Sequence, residues 1–173
     1  MGVICVRVDI SQLFGHRGKS IPIDLSIDIN DTEGYPDVVG FLEPVKIKGT
    51  LTNIDDIIVL DAEGDTLLNV SCSRCLAPVN VKLNFKLYEM FSKTGNIDED
   101  IEAVTEDSID LYPYVRNEVF ENIPMKIVCK DDCKGLCPSC GKNLNEGNCD
   151  CDTSYINPKF DSLRALFNVD EEV

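Results

Sequence analysis

FLEPVKIKGTLTNIDDIIVLDAEGDTLLNVSCSRCLAPVNVKLNFKLYEMF, residues 41–91, is the stretch that decides the fold. Apolar and polar residues alternate with a period of two through FLEPVKIKGTL (41–51), DIIVL (56–60), TLLNVSC (66–72) and VNVKLNFKLYEMF (79–91). That is the pattern of half-buried strands. Turn-like stretches at Asn53–Asp56, Ala62–Asp65 and Leu76–Pro78 separate the runs. Consecutive strands with short connections predict an antiparallel sheet of hairpins, curled towards a barrel, with an apolar face or interior. The same alternation in ICVRVDI (4–10) and IPIDLSIDI (21–29) adds strands on the N-terminal side.

Residues 96–110 change character, with seven acidic side chains and no basic ones. They read as a solvated loop, in preference to an ordered acidic edge. Asp110 then offers an N-cap for LYPYVRNEVFENI, in which Leu111, Val115, Val119 and Ile123 form one apolar stripe on a helix ending before Pro124. Asn157-Pro158 opens a last short helix, in which Phe160, Leu163 and Leu166 or Phe167 pack inward. The expected class is α+β. Residues 1–127 form a mainly antiparallel β domain with a helix near 110–123. Residues 128–173 form a cysteine-rich metal-binding module, zinc-ribbon- or knuckle-like, with a C-terminal helix.

Eight of the nine cysteines fall in pairs. One run reads Cys129-x3-Cys133-x3-Cys137-x2-Cys140-x8-Cys149-x-Cys151, and Cys72-x2-Cys75 lies upstream. Thiolates spaced two to four residues apart reach one tetrahedral ion from a single turn of backbone. Cys137-Pro-Ser-Cys140-Gly141 is the sharpest signal, because Gly141 supplies the positive φ that lets the chain reverse and aim N–H groups at the first sulfur. With Cys149 and Cys151 it makes one quartet; Cys72, Cys75, Cys129 and Cys133 make a second. The spacing predicts zinc at the first quartet and admits a second ion at the other, with iron in rubredoxin-like geometry as the alternative metal. Four cysteines leave no open coordination position, so such an ion is structural. Cys5 reads as a buried thiol and His16 as a surface residue, and no catalytic set or small-molecule site is expected.

No apolar stretch approaches the roughly 18–20 residues of a membrane span. The start, MGVICVRVDI, lacks the basic and long apolar regions of a secretory signal, and Val6 stands where myristoylation wants Ser or Thr. A cytoplasmic protein is expected, where clustered cysteines bind metal or do redox chemistry more often than they form disulfides. The formal net charge of −15 opposes non-specific nucleic-acid binding, which works through clustered Lys and Arg. A thiol-disulfide oxidoreductase built on Cys72-x-x-Cys75 is the catalytic alternative. Such motifs start a helix, however, and here Pro78 and a β-patterned run follow.

Cys72-Ser-Arg-Cys75-Leu-x-Pro78, then Cys129-x3-Cys133-Lys-Gly-Leu-Cys137-Pro-x-Cys140-Gly-x-Asn143-Leu-Asn145 and Cys149-x-Cys151, resembles the YceD family. So do the Asp110-Leu111 helix entry, Pro124 before Cys129, and Asn157-Pro158-x-Phe160-x-x-Leu163. Members are described as large-subunit ribosomal RNA accumulation proteins. The resemblance implies a non-enzymatic factor for accumulation or maturation of that RNA. It would act on the RNA or its precursor directly, or through a small basic large-subunit ribosomal protein. An acidic surface such as residues 96–110 would suit the second route. For the first, Arg74, joined by Lys46, Lys48, Lys82 or Lys86, is the candidate nucleic-acid contact. A zinc-stabilised protein-interaction adaptor unrelated to RNA is the remaining alternative.

Overall fold

The computed structural model describes residues 6–93 and 101–151. These group into two compact units: the chain up to Ser73 with Ala77–Cys129, and Arg74–Leu76 with the chain from Lys130 on. Cys5, the acids at 98–100 and the helix expected after Pro158 lie outside the described residues.

Among the described residues, the first unit carries all the strands. β1 (Arg7–Asp9) leads through a 3₁₀ turn at Ser11–Leu13 into β2 (Ser20–Ile27), β3 (Val38–Phe41), β4 (Val45–Ile54), β5 (Ile57–Ser71) and β6 (Pro78–Ser92). Short strands β7 (Ile101–Ala103) and β8 (Ser108–Asp110) precede helix α1 (Tyr112–Glu121). The main sheet runs β2-β4-β5-β6-β7, with β3 also on β5, while β1 and β8 form a separate pair. Asp55 and Asp56 both take positive φ, 51° and 69°, in the two-residue β4–β5 turn. That backbone matches the twist of the flanking strands.

Three expectations need correction. The sheet is mixed, because β6 and β7 pair in parallel, and its path ends at β2 and β7, which do not pair with each other. It is not a closed barrel among the described residues. Closure needs a partner along the length of each edge, and β7 is three residues long.

Second, Ala62–Asp65 is no turn; β5 continues through it for 15 residues. A Cβ on Gly64 would sit 2.3 Å from Phe85 Cζ and 2.8 Å from Ile47 Cδ1, so the glycine is where a neighbouring ring crosses the strand. The adjoining acids stand in cross-strand register with lysines: Glu63 lies between Lys48 and Lys86, and Asp65 opposite Lys46. Third, the described part of the acidic stretch, from Ile101 on, is an ordered edge, with β7 on β6 and β8 on β1.

α1 starts one residue later than its sequence suggests, with Leu111 at the N-cap. Asp110 still serves the helix entry: its Oδ1 accepts the N–H groups of Tyr112 at 3.1 Å and Val6 at 2.9 Å. Leu111, Val115 and Val119 are fully buried, with Ile123 half-buried. They pack on the alternate residues of β4–β6 (Ile47, Leu51, Leu60, Leu68, Leu87, Phe91) that form the sheet's inner face. Phe91 meets Tyr114 edge-on at 5.3 Å. Each such side chain contributes roughly 1.5–3 kcal/mol by leaving water. Among the described residues, no helix is long and apolar enough to cross a membrane.

The second unit is built differently. Among its described residues the buried side chains are Cys75, Cys133 and Cys137, and it supplies none of the apolar core. Among those residues its regular pairing is one antiparallel bridge, Leu136 with Asn143.

Candidate metal centres

The two Cys-x-x-Cys segments adopt the same local backbone. The Cys72 N–H donates to the Ala77 carbonyl at 2.8 Å, and the Cys137 N–H to the Lys142 carbonyl at 2.8 Å. In each, the residue after the second cysteine takes positive φ, 59° at Leu76 and 74° at Gly141. The Cys72–Cys75 turn joins β5 to β6, so no helix dipole is available to activate a redox thiol there.

The Sγ atoms of Cys137, Cys140, Cys149 and Cys151 all lie within 4.8 Å of one another, and so do those of Cys72, Cys75, Cys129 and Cys133. A tetrahedral ion with thiolates at about 2.3 Å sets its sulfurs roughly 3.8 Å apart, so both groups fit a metal ion. No disulfide joins the described cysteines.

Electrostatics in the first quartet favour a cation. Backbone N–H groups of Cys140 and Ser139, with the Cys149 thiol, hold the Cys137 thiol down to about 6. Cys151 is pushed up to about 12 by the thiol of Cys140, by burial, and by the thiols of Cys149 and Cys137. The Cys137 sulfur ionises readily, and the thiols of Cys149 and Cys151 then resist. Four thiolates this close need a positive ion to share their charge.

The second quartet is supported locally on each side. The Cys129 N–H donates to Cys72 Sγ at 3.4 Å, and the Ile127 N–H to Ser73 Oγ at 3.1 Å. Arg74 Nη1 donates to the Cys133 carbonyl at 2.8 Å and to that of Asp131 at 3.5 Å, while the Leu136 N–H returns to the Arg74 carbonyl at 3.1 Å. Gly135, at φ 76°, makes this approach possible, since a Cβ there would lie 3.0 Å from the Arg74 carbonyl oxygen. Spacing singled out the eight cysteines that the structure brings into two groups. It offered no signal for Leu76, or for the part Arg74 plays in holding the Cys133 carbonyl.

Of the lysines considered with Arg74, Lys46, Lys48 and Lys86 face carboxylates, whereas Lys82 stands opposite Leu67. Asp24, Lys48, Glu63 and Lys86 form a row of alternating charge across four strands, with Lys48 and Asp24 paired at 3.3 Å. Lys46 pairs with Glu43 at 3.3 Å. Uncompensated charge lies instead at the β6–β7–α1 edge. There Glu89 is raised above the usual carboxylate range by burial and by Glu102, Glu118 and Glu121. Among the described residues none of these four enters an ion pair. His16 is exposed, its Nδ1 3.0 Å from the Phe14 carbonyl oxygen.

The chain is 28% identical over 169 residues to the protein YlbN of Bacillus subtilis, covering 94% of this chain and 97% of that protein. A Mycobacterium tuberculosis protein is 32% identical over 153 residues, 80% of this chain and 70% of its own. The maize "Large ribosomal RNA subunit accumulation protein YCED homolog 1, chloroplastic" is 27% identical over 142 residues, 62% of this chain and 48% of its own. No solved structure matches. The family model described as "Large ribosomal RNA subunit accumulation protein YceD" matches residues 60–167, which take in the β5–β6 pairing, α1 and both cysteine quartets. The chain therefore belongs to the YceD family.

Proposed function

We propose that this protein is a zinc-stabilised, non-enzymatic factor of the cytoplasm that supports accumulation or maturation of large-subunit ribosomal RNA, acting through a small basic large-subunit ribosomal protein. The family match carries the ribosomal part of this reading. Zinc is the ion suited to two all-cysteine quartets with the spacing seen here. The route through a basic protein is supported by the distribution of charge. Lys46, Lys48 and Lys86 are matched by Glu43, Asp24 and Glu63, whereas among the described residues Glu89, Glu102, Glu118 and Glu121 enter no ion pair. Complementary charge of that kind speeds encounter and selects partners, and salt screens it.

Deleting the gene should lower the ratio of large- to small-subunit ribosomal RNA, and wild-type protein should restore it. Glu102→Gln/Glu118→Gln/Glu121→Gln protein should restore it poorly. In a pull-down of the small basic large-subunit ribosomal proteins at low salt, the triple variant should recover at least several-fold less than wild type. Equal recovery by the two proteins would exclude this surface. Unchanged ribosomal RNA on deletion would instead favour the zinc-stabilised adaptor. Direct RNA contact through Arg74 is the second route, and it predicts that Arg74→Ala weakens binding of a large-subunit ribosomal RNA transcript.

A further inference from the structure

Asn143 and Asn145 lie in the eight-residue loop between Cys140 and Cys149, two ligands of one quartet. Asn145 nevertheless serves the other quartet. Its Nδ2 donates to Cys133 Sγ at 3.4 Å and to Asn143 Oδ1 at 2.8 Å, and its Oδ1 accepts the Lys134 N–H at 2.9 Å. Both donor hydrogens and the acceptor are therefore used. Turning the amide over would set oxygen against sulfur and Nδ2 against a backbone N–H, so the orientation follows from the partners. Asn143 holds the loop in turn: its Oδ1 accepts the Asn145 N–H at 3.1 Å and its Nδ2 donates to Glu146 Oε1 at 2.8 Å. The Leu144 N–H bonds the Gly135 carbonyl at 2.9 Å.

We propose that Asn145 is a positioning residue that couples the two metal centres: an ion held by Cys137, Cys140, Cys149 and Cys151 fixes the loop that presents Asn145 Nδ2 to the Cys133 sulfur of the second centre. An N–H donor stabilises a metal-bound thiolate, and groups that support ligands in this way commonly contribute 10- to 100-fold to metal retention. Emptying the first centre frees one end of the loop, withdraws that donor and loosens the second ion. Linkage makes the effect reciprocal. The inference rests on the reading that both quartets bind metal.

The test begins with native mass spectrometry of the full-length protein, which must show two ions. Fewer than two overturns the metal reading, and this inference with it, before any variant is made. Release of each ion to a chromogenic chelator is then followed, with newly reactive cysteines located by alkylation. Asn145→Asp keeps the acceptor for the Lys134 N–H and removes the donor to sulfur. It should release the ion of Cys72, Cys75, Cys129 and Cys133 about ten-fold faster. In the cobalt-substituted protein, the sulfur-to-metal charge-transfer band of that centre alone should shift to lower energy. Cys149→Ser/Cys151→Ser, which empties the first centre, should speed release of the remaining ion by a similar factor. Adding Asn145→Asp to that variant should change nothing further. Wild-type release rates and an unshifted band in Asn145→Asp would overturn the proposal, as would effects that multiply in the combined variant.

Discussion

Leu76 sits at φ 59°, in backbone that L side chains adopt at a cost of about 1–2 kcal/mol, and 63% of its surface is exposed. The turn requires that φ so that the Cys72 N–H can close on the Ala77 carbonyl, as Gly141 allows in the other turn. Leu76→Gly removes the strain and loses little burial, while the freer unfolded chain offsets roughly 0.5–1 kcal/mol. The denaturant midpoint at saturating zinc should therefore rise, by the equivalent of about 0.5–1 kcal/mol. A lower midpoint would mean that the leucine contributes packing that its exposure does not suggest. Gly141 could be singled out in the sequence because glycine is what a left-handed position favours. Leu76 could not, because its conformation is imposed by the hydrogen bond that closes the turn around it.

At the scale of elements, β5 was half hidden. Asp61-Ala-Glu-Gly-Asp65 has the composition of a turn, yet the segment pairs on both sides, with Ala62 opposite Gly49 and Leu87. Gly64 leaves room for the Phe85 ring. Gly64→Ala should therefore destabilise by about 1–3 kcal/mol through overpacking. Phe85→Leu, made in the Gly64→Ala protein, should cost less than it does in wild type; a double-mutant cycle by urea unfolding measures the difference. Strictly additive effects would show that ring and glycine do not compete for space. β7 and β8 were illegible for a related reason. Each is three residues long and is set by its partner, β6 or β1, more than by its own pattern.

For the molecule as a whole, the two units rest on different physics. The first buries a continuous apolar core. The second, among its described residues, buries the side chains of Cys75, Cys133 and Cys137, adds nothing to that core and carries cysteines whose grouping fits a metal ion. Structural zinc supplies on the order of 10 kcal/mol of folding free energy in such modules. A strong chelator should therefore expose the amides of residues 130–151 to hydrogen exchange while those of β4–β6 stay protected, with eight thiols becoming reactive as the ions leave. Loss of protection throughout the sheet at the same chelator concentration would show that the core does not stand without metal.

By itself the sequence determined the period-two strands on either side of Cys72–Cys75, the apolar stripe of α1 and the grouping of cysteines into ligand-spaced pairs. Each of these is written in spacing along the chain. Tertiary structure decided what spacing does not encode: that the sheet stays open and mixed, that Gly64 lies under a ring, and that Leu76 takes a glycine's backbone. It also decided that Asn145, in the loop of one quartet, donates to a sulfur of the other. These outcomes depend on which segments meet across the fold, and a contact between distant segments leaves no periodic trace in either of them.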